Sequence, residues 1–427
     1  MATMMFVTMI ILLLLGFPLM VPLLAAALLA FVFYIPALDP QILVQQMIGG
    51  VKPPALIAVP LFIFAADIMT RGLTANRLLD LVMSFIGHVR GGLPITTAAS
   101  CTLFGAVSGS TQATVVAMGS PLRPRLLKAG YTDSFSMALI INSSDIALLI
   151  PPSIGMIVYG VVSGTSVGEL FIAGIGPGLL ILMLFSVYCY FYSRIKNIPT
   201  QERRDWSERG RALRAALLPM GFPVIVVGGI YAGTFSPTEA AAVSVAYAVL
   251  LEVVIFRQLG WKDIPDLAVS TGMITAVVFI LVAAGAAFSW TLSYAQIPSL
   301  LVNDILNLDP SQPTMVLIAV CAAFFVGCMF VDPIVVILVL TPIFAPIIQA
   351  AGIDPVLAGT LITLQVAIGS ATPPFGCDIF TAIAVFKRPY LEVIKGSPPF
   401  FLILLLATAL LISFPQIALF LRDLAFR

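Results

Sequence analysis

Small and polar residues interrupt two long apolar stretches of this chain, and their types suit the binding of a cation. The first interruption, GAVSGSTQAT, runs from Gly105 to Thr114, and the second, GCMFVDP, runs from Gly327 to Pro333. Hydroxyls, carboxylates and backbone carbonyls freed from helical bonding hold sodium inside membrane proteins. A carboxylate within an apolar span is costly and needs a partner. A bound cation would supply that partner for Asp332.

Two pairs of adjacent prolines break the helices that follow these stretches, one in LIPPS (Leu149 to Ser153) and one in TPPFG (Thr372 to Gly376). Adjacent prolines remove two backbone donors and force the preceding residue out of the helical region. Carbonyls one turn earlier then lose their partners, which is tolerated at membrane depth only under protein or beside water. Oxygen-bearing side chains accompany the two breaks: Asn142, Ser143, Ser144 and Asp145 at the first, and Ser370 and Thr372 at the second.

Each of these side chains also has a purely structural interpretation. Serine and threonine in membrane helices usually bond to their own backbone or to a neighbouring helix, so the ion-site hypothesis depends on their clustering at a repeated break. In the alternative interpretation, Asp145 and Asp378 mark loop ends or pair with a basic residue. Asp67 then lies at a helix end near Arg71. The segment SPTE, from Ser236 to Glu239, predicts the capped start of a helix.

The composition places the chain in a bilayer. Of its 427 residues, 60% are hydrophobic and 10% are charged, and the mean hydropathy is +1.10, whereas soluble domains are about 25% charged. At roughly 20 apolar residues per crossing, the chain has room for about ten to fourteen membrane helices. The net charge of +1 gives no reason to expect a nucleic acid partner.

The sequence does not favour an enzyme. It contains one histidine, His88, and it has no GxxxxGK[ST] phosphate-binding motif. An intramembrane enzyme would need paired acidic or Ser/His groups facing one cavity. Sodium is the only metal predicted, and no cofactor is expected besides this coupling ion. The five cysteines lie singly, without the paired spacing of disulfides or zinc sites: Cys101, Cys189, Cys321, Cys328 and Cys377.

A basic segment divides the chain into two halves that resemble each other. Residues 194–214 carry seven basic and three acidic residues, which predicts a cytoplasmic linker by the positive-inside rule. Adding 222 to positions in the first half reaches like residues in the second, and this constant offset predicts a duplicated unit. The matched positions are Gly105 and Gly327, Pro124 and Pro346, Gly130 and Gly352, and Pro151 and Pro373. The same offset pairs Ser110 with Asp332.

The predicted fold is therefore an all-α polytopic membrane protein with inverted structural repeats, two re-entrant helical hairpins and two broken helices. The first repeat comprises residues 1–193, with scaffold helices, hairpin 1 at about 91–122 and a broken helix at about 135–162. The second repeat comprises residues 215–427, with hairpin 2 at about 314–348 and a broken helix at about 356–385. Paired broken helices indicate a transporter whose site lies near the membrane midplane.

Nearly the whole chain resembles the large membrane subunit (M subunit, DctM type) of tripartite ATP-independent periplasmic (TRAP) transporters, and among these it is most similar to sialic-acid members. The order and spacing of five short motifs carry this resemblance: IAVPLFIFA from Ile57, GAVSGS from Gly105, LIPPS from Leu149, SPTEAAA from Ser236 and TPPFG from Thr372.

The resemblance implies a sodium-coupled importer of organic acids in the bacterial inner membrane that works as an elevator. It also implies two partners, a small four-helix membrane subunit (Q) and a soluble periplasmic substrate-binding protein (P). The implied sodium ligands are Ser108, Ser110, Ser143, Ser144, Gly327, Asp332, Gly369, Ser370 and Thr372, to which we add Asp145. The implied substrate contact is Ser153, to which we add Thr111, Asn142 and Asp378.

Two positions depart from the family pattern. Asp145 stands where many relatives carry a small or apolar residue, and Asp378 stands where asparagine is common. These departures suggest a polyhydroxylated substrate such as sialic acid. A C4-dicarboxylate or another carboxylate is the alternative substrate, and a proton-coupled carrier or a channel is the alternative mechanism.

Overall fold

The computed structural model describes residues 1–35, 38–300, 306 and 308–426, and all regular structure in these ranges is helical. Five helices begin the chain, and the fourth is preceded by one short 3-10 turn, Pro54–Ile57. They are α1 (Ala2–Leu14), α2 (Met20–Tyr34), α3 (Gln41–Val51), α4 (Ala58–Arg71) and α5 (Thr74–Ile86).

The first hairpin and the first broken helix follow, and the long helix α10 completes the first half. The break lies between α8 and α9, where a 3-10 turn, Asp145–Leu148, precedes the two prolines. The helices are α6 (Gly92–Ser108), α7 (Thr111–Lys128), α8 (Asp133–Ser144), α9 (Ile154–Ser163) and α10 (Val167–Ile195).

The second half begins with three long helical segments. The first combines α11 (Trp206–Pro223), a π-helical stretch and α12 (Gly229–Tyr231). The second is α13 (Pro237–Val249), which continues as a π-helix to Ile255. The third is α14 (Asp263–Tyr294), and one helical turn, α15 (Ile297–Ser299), follows it.

The chain ends with the second hairpin, the second broken helix and three further helices. The last two helices form a pair bent by 57°. The helices are α16 (Pro313–Cys328), α17 (Pro333–Ala350), α18 (Pro355–Ser370), α19 (Cys377–Phe386), α20 (Tyr390–Ile394), α21 (Pro398–Ser413) and α22 (Gln416–Ala425).

Caps and prolines explain where many of these helices begin. Proline has no backbone N–H, but in the first turn of a helix this N–H would have no partner within the helix. Five helices start with such a proline: α13, α16, α17, α18 and α21. The predicted cap at Ser236 is confirmed. Its hydroxyl accepts from the Glu239 backbone, and the Glu239 carboxylate accepts from the Ser236 backbone, which together form a capping box.

Fewer helices than predicted are long enough to cross a membrane alone. Within the described residues, six helical segments are long and apolar enough, or seven if the bent pair α21 and α22 forms one span. The estimate of ten to fourteen came from the chain length at roughly 20 apolar residues per crossing, whereas the structure builds several apolar stretches from helices of 10 to 17 residues. Helices α6, α9, α16, α18 and α19 of the hairpins and broken helices are of this shorter kind, and α17 is one of the six long segments.

The helix bounds match the predicted internal offset. Helix α7 begins at Thr111 and α17 at Pro333, while α8 begins at Asp133 and α18 at Pro355, and both pairs are 222 residues apart. Helix α7 continues to Lys128, beyond the predicted end of hairpin 1 near residue 122. The reason is that Pro121 and Pro124 lie inside α7 without ending it.

The long helix α14 contacts two groups of helices. It packs against α2, α3 and α4, and α4 in turn packs against α13. It also packs against α17 of the second hairpin, which contacts α9 and α18. We call α2, α3, α4, α13 and α14 the scaffold helices, and the turns between α6 and α7 and between α16 and α17 tip 1 and tip 2.

Candidate ion and substrate site

Tip 1 is a short polar turn held by its own hydroxyl groups. Gly109 has φ +62° and ends α6, and the Ser110 hydroxyl caps α7 by accepting from the Ala113 backbone at 3.4 Å. The Thr114 hydroxyl lies 3.0 Å from the Ser108 hydroxyl and donates to the Ser110 carbonyl at 2.8 Å. The N-terminus of α7 therefore opens at the tip, where its backbone N–H groups favour negative charge.

Each tip is tied to the broken helix of its own half. The Ile154 N–H, after the first proline pair, donates to the Gly109 carbonyl at 3.4 Å, and the Phe375 N–H, after the second pair, donates to the Met329 carbonyl at 3.1 Å. A Cβ at Gly109 would overlap the Pro152 carbonyl oxygen. Glycine at this position thus permits both the left-handed backbone and the close approach of the two segments.

Tip 2 carries the carboxylate of Asp332. This residue caps α17, since its Oδ1 accepts from the Ile334 backbone at 2.9 Å. It is half-buried and takes part in no ion pair found among the described residues.

A cavity of about 340 Å³ lies between the two tips and the scaffold helices. This volume is in the range of sites for small organic ligands. Tip 1, tip 2 and the first break form one wall, and α4 and α14 form the other. The lining residues are Ser108 to Ala113, Leu148, Ile154, Gly155, Asp332 to Ile334, Ile63, Ala66, Asp67, Ile274, Val277, Val278 and Leu281.

The charges that line this cavity are both negative. Asp332 projects from tip 2 and Asp67 from α4, and no lysine or arginine is among the lining residues. The Thr271 hydroxyl of α14 donates to Asp67 Oδ2 at 2.9 Å, which links two scaffold helices. Hydroxyl and amide groups of tip 1 supply the other polar atoms.

Two further carboxylates are buried behind tip 1. Asp378 at the start of α19 accepts from the Thr111 hydroxyl at 2.8 Å and from the Ser370 hydroxyl at 2.6 Å. Asp145 is 0% exposed, neither of its carboxylate oxygens has a hydrogen-bond partner, and the nearby Ser143 hydroxyl has none either. Asp145 and Asp378 are close enough to repel one another.

Buried charges are ordinarily paired, because removing them from water without a partner is very unfavourable. No ion pair among the described residues involves Asp145, Asp332 or Asp378.

The predicted site residues separate into two groups. Ser108, Ser110, Thr111 and Asp332 line the cavity. The second group lies behind the tips and does not line it. In this group Ser370 bonds to Asp378, Ser143 and Asp145 are buried without a hydrogen-bond partner, and Gly369 allows α18 to approach Cys328 of α16 closely.

Several predicted ligands have structural partners in this conformation. Asn142, Ser144 and Thr372 each donate to the carbonyl four residues earlier. Ser153 caps α9 by accepting from the Met156 backbone at 3.2 Å. Gly327 lines a separate, wholly apolar cavity between α1, α2 and the second hairpin.

Sequence reasoning missed three polar residues of this region: Asp67, Gln112 and Thr271. Asp67 was interpreted as a helix end, although it lies within an apolar helix. A carboxylate inside a membrane helix is energetically unfavourable and usually marks a functional site, so this residue could have been recognised from the sequence. Thr271 lies 204 residues away in sequence, and no local pattern links the two.

The family model described as "Tripartite ATP-independent periplasmic transporter, DctM component" matches residues 6–417 of the chain. Among curated proteins, the chain is 68% identical to an ectoine TRAP transporter large permease protein of Halomonas elongata, and the match covers 100% of both chains. It is 66% identical to an ectoine/5-hydroxyectoine TRAP transporter large permease protein of Ruegeria pomeroyi, again over 100% of both.

The expectation of greatest similarity to sialic-acid members is not supported. A sialic acid TRAP transporter large permease protein of Vibrio cholerae is 33% identical over 89% of each chain, about half the identity of the two ectoine proteins. Relatives named for different substrates all match this chain over most of its length, so membership of the family does not identify the ligand.

Among solved structures, the chain is similar to the Alcanivorax borkumensis YdaH transporter, whose crystal structure is described as having an unusual topology. The TM-score is 0.60 with 15% sequence identity, and the match covers 87% of this chain and 86% of the other. At this identity the likeness concerns the fold alone.

Proposed function

We propose that this chain, which belongs to the DctM component family of the tripartite ATP-independent periplasmic (TRAP) transporters, is the large membrane subunit of a sodium-coupled importer of ectoine or 5-hydroxyectoine. The observation that carries the substrate assignment is the identity of 68% and 66%, over the full length, to relatives named for these solutes. Relatives named for other substrates are far more distant, such as a C4-dicarboxylate permease of Pseudomonas aeruginosa at 36%.

The family predicted from the motifs is confirmed, and so is the location. The chain is a multi-pass protein of the bacterial inner membrane, as its family and its long apolar helices require. A tripartite family supplies two further components, which we take to be the small membrane subunit and the periplasmic binding protein. Transport is the function of the family.

Sodium coupling is supported by the buried carboxylates and hydroxyls at the two tips. Among the described residues, no basic side chain pairs with Asp332 on tip 2 or with Asp145 behind tip 1, and a monovalent cation beside each would offset the cost of removing its charge from water. The cation and the solute would then occupy one region, so that binding of either favours binding of the other.

An elevator movement is supported by the arrangement of the two hairpins. Each tip is hydrogen-bonded to the break of its own half, so the tips and broken helices can move as a unit. The cavity lies between that unit and scaffold helices α4 and α14. A solute bound there would move with the tips along these two helices. The offset of 222 residues supports a duplicated origin of the two hairpins.

The test is uptake by proteoliposomes that contain this chain, its small membrane subunit and its binding protein. We expect labelled ectoine to accumulate under an inward sodium gradient and not when choline replaces sodium at fixed pH. Unchanged uptake in choline would instead support proton coupling. Uptake of sialic acid or a C4-dicarboxylate without uptake of ectoine would overturn the substrate assignment.

A further inference from the structure

Asp67 is a carboxylate on the scaffold wall of the cavity, opposite the two tips. Its Oδ2 is held by the Thr271 hydroxyl at 2.9 Å, whereas no donor in the described part of the chain reaches its Oδ1. Arg71 lies one turn later on α4, and no nitrogen of a basic residue among the described residues is within 4.0 Å of Asp67. Thr271 thus fixes the orientation of a carboxylate whose other oxygen remains free.

The cavity has negative charge on both walls and no basic side chain in its lining. A purely anionic solute would meet the N-terminus of α7 but would be repelled by Asp67 and Asp332. A solute with one cationic and one anionic end fits this distribution better. Ectoine is such a solute, because its ring is an amidine that is protonated at neutral pH and carries one carboxylate.

We propose that Asp67 binds the cationic amidinium group of the solute, an inference that rests on the proposed function. An amidinium presents two N–H donors in one plane, and a carboxylate can accept from such a group in a charge-assisted pair. The solute carboxylate then faces tip 1, where the backbone N–H groups at the start of α7 favour an anion. Asp332 remains available for sodium.

This assignment gives the scaffold a part in substrate selection. Asp67 belongs to α4 and is linked to α14, so a solute carried by the tips contacts it only while the tips face these helices. The amidinium contact separates cyclic amidines from dicarboxylates, because a dicarboxylate would place a second negative charge against Asp67. Specificity is then partly a matter of repulsion.

The test compares Asp67→Asn with Asp266→Asn in the complete reconstituted transporter. Asparagine keeps the size of the side chain and an acceptor for Thr271 but removes the charge. Asp266 lies exposed near the start of α14, outside the cavity, so its substitution is the matched control. We expect ectoine uptake at subsaturating solute to fall about tenfold or more for Asp67→Asn, and to stay within twofold of the parent for Asp266→Asn.

Asp67→Glu changes the length of the side chain but keeps the negative charge. It therefore distinguishes the effect of losing the charge from the effect of disturbing the shape of the cavity. We expect it to retain more uptake than Asp67→Asn, and the thermal unfolding midpoints of all three variants without solute to match the parent. Parent-like uptake and half-saturation in Asp67→Asn would overturn the role of Asp67 while leaving the proposed function intact. No ectoine uptake by the parent protein would overturn both.

Discussion

At the scale of single residues, Asp145 is the most unusual side chain in the structure. It is fully buried, both of its carboxylate oxygens lack a hydrogen bond, and the Ser143 hydroxyl nearby also lacks one. An isolated buried carboxylate destabilises a fold by several kcal/mol unless it is neutralised or paired. Such a group persists at a functional site because a ligand compensates for it, and a sodium ion is the ligand that the proposed function supplies.

We predict that Asp145→Ala stabilises the protein in the absence of sodium and reduces the stabilisation that sodium provides. The substitution removes an uncompensated charge and, with it, a ligand of the ion. Thermal unfolding of the purified membrane complex, measured in choline and in sodium, checks both effects. Ser244→Ala removes a buried hydroxyl of α13 that bonds to its own helix, and it should leave the sodium response unchanged. An unaltered sodium response in Asp145→Ala would contradict the assignment.

Asp332 gives a second prediction at this scale. Asparagine is also a good helix cap, so Asp332→Asn should keep α17 in place while removing the charge. We expect the half-saturating sodium concentration for uptake to rise about tenfold, with little change in protein yield.

Asp354→Asn is the control for Asp332→Asn, because Asp354 also caps the start of a helix, α18, but lies outside the cavity. Asp354 in addition forms an ion pair with Arg422 at 2.6 Å, so Asp354→Asn should lower the unfolding midpoint slightly while leaving the half-saturating sodium concentration unchanged. Equal sodium dependence in the parent and in Asp332→Asn would show that Asp332 does not bind the ion.

At the scale of elements, the tips depend on close backbone contact with the breaks. Gly109 meets the Pro152 carbonyl, Gly105 meets Ala147, and Gly369 meets Cys328. Each of these contacts brings a hairpin helix against a broken helix at a distance that a side chain would prevent. The glycines therefore fix the position of the hydroxyls and carbonyls that the ion would use.

We predict that Gly109→Ala destabilises the protein by about 2–4 kcal/mol and abolishes uptake. About 1–2 kcal/mol comes from the left-handed backbone and the rest from overlap with the Pro152 carbonyl. Gly164→Ala is the matched control, since Gly164 also ends a helix, with φ +73°, but has no atom within 4 Å of a Cβ. It should lose only the contribution of the left-handed backbone, about 1–2 kcal/mol, and should keep uptake. Equal losses in the two variants would mean that contact between tip and break does not matter.

At the scale of the whole molecule, α14 is the boundary across which an elevator would move. It packs against α2, α3 and α4 of the scaffold and also against α17 of the second hairpin. The Ser289 hydroxyl of α14 donates to the Leu338 carbonyl of α17 at 2.9 Å, so the two groups touch directly. Movement of the hairpin unit must break this contact.

We predict that a disulfide between Gly285→Cys and Leu338→Cys stops uptake and that a reducing agent restores it. A Cβ at Gly285 would lie 3.0 Å from the Leu338 Cβ, close to the separation of about 3.8 Å in disulfides. The bond joins α14 to α17 and so fixes the hairpin unit against the scaffold. Uptake before and after oxidation measures the effect.

The control pair is Gly50→Cys with Ala286→Cys, where the two Cβ positions also touch. This bond joins α3 to α14 within the scaffold and should leave uptake unchanged. Full uptake in the oxidised Gly285 and Leu338 pair would contradict a movement of α17 along α14.

The sequence by itself determined the class, the family and the positions of the tips. Periodic apolar runs, the two proline pairs and the constant offset are local or repeated signals, and they correctly located the interruptions near Ser108 and Asp332. Hydrophobic burial dictates such patterns along the chain. These signals did not identify the substrate, however.

Only the tertiary structure decided which polar groups face one cavity. Asp67 and Thr271 are 204 residues apart, and their contact follows from the packing of α4 against α14. The structure also divided the predicted ligands, since Ser143, Asp145, Ser370 and Asp378 lie behind the tips while Ser108 and Asp332 line the cavity. The physical reason is that a site between helices is set by how they pack together, and helix packing is not encoded in the spacing of residues along one segment.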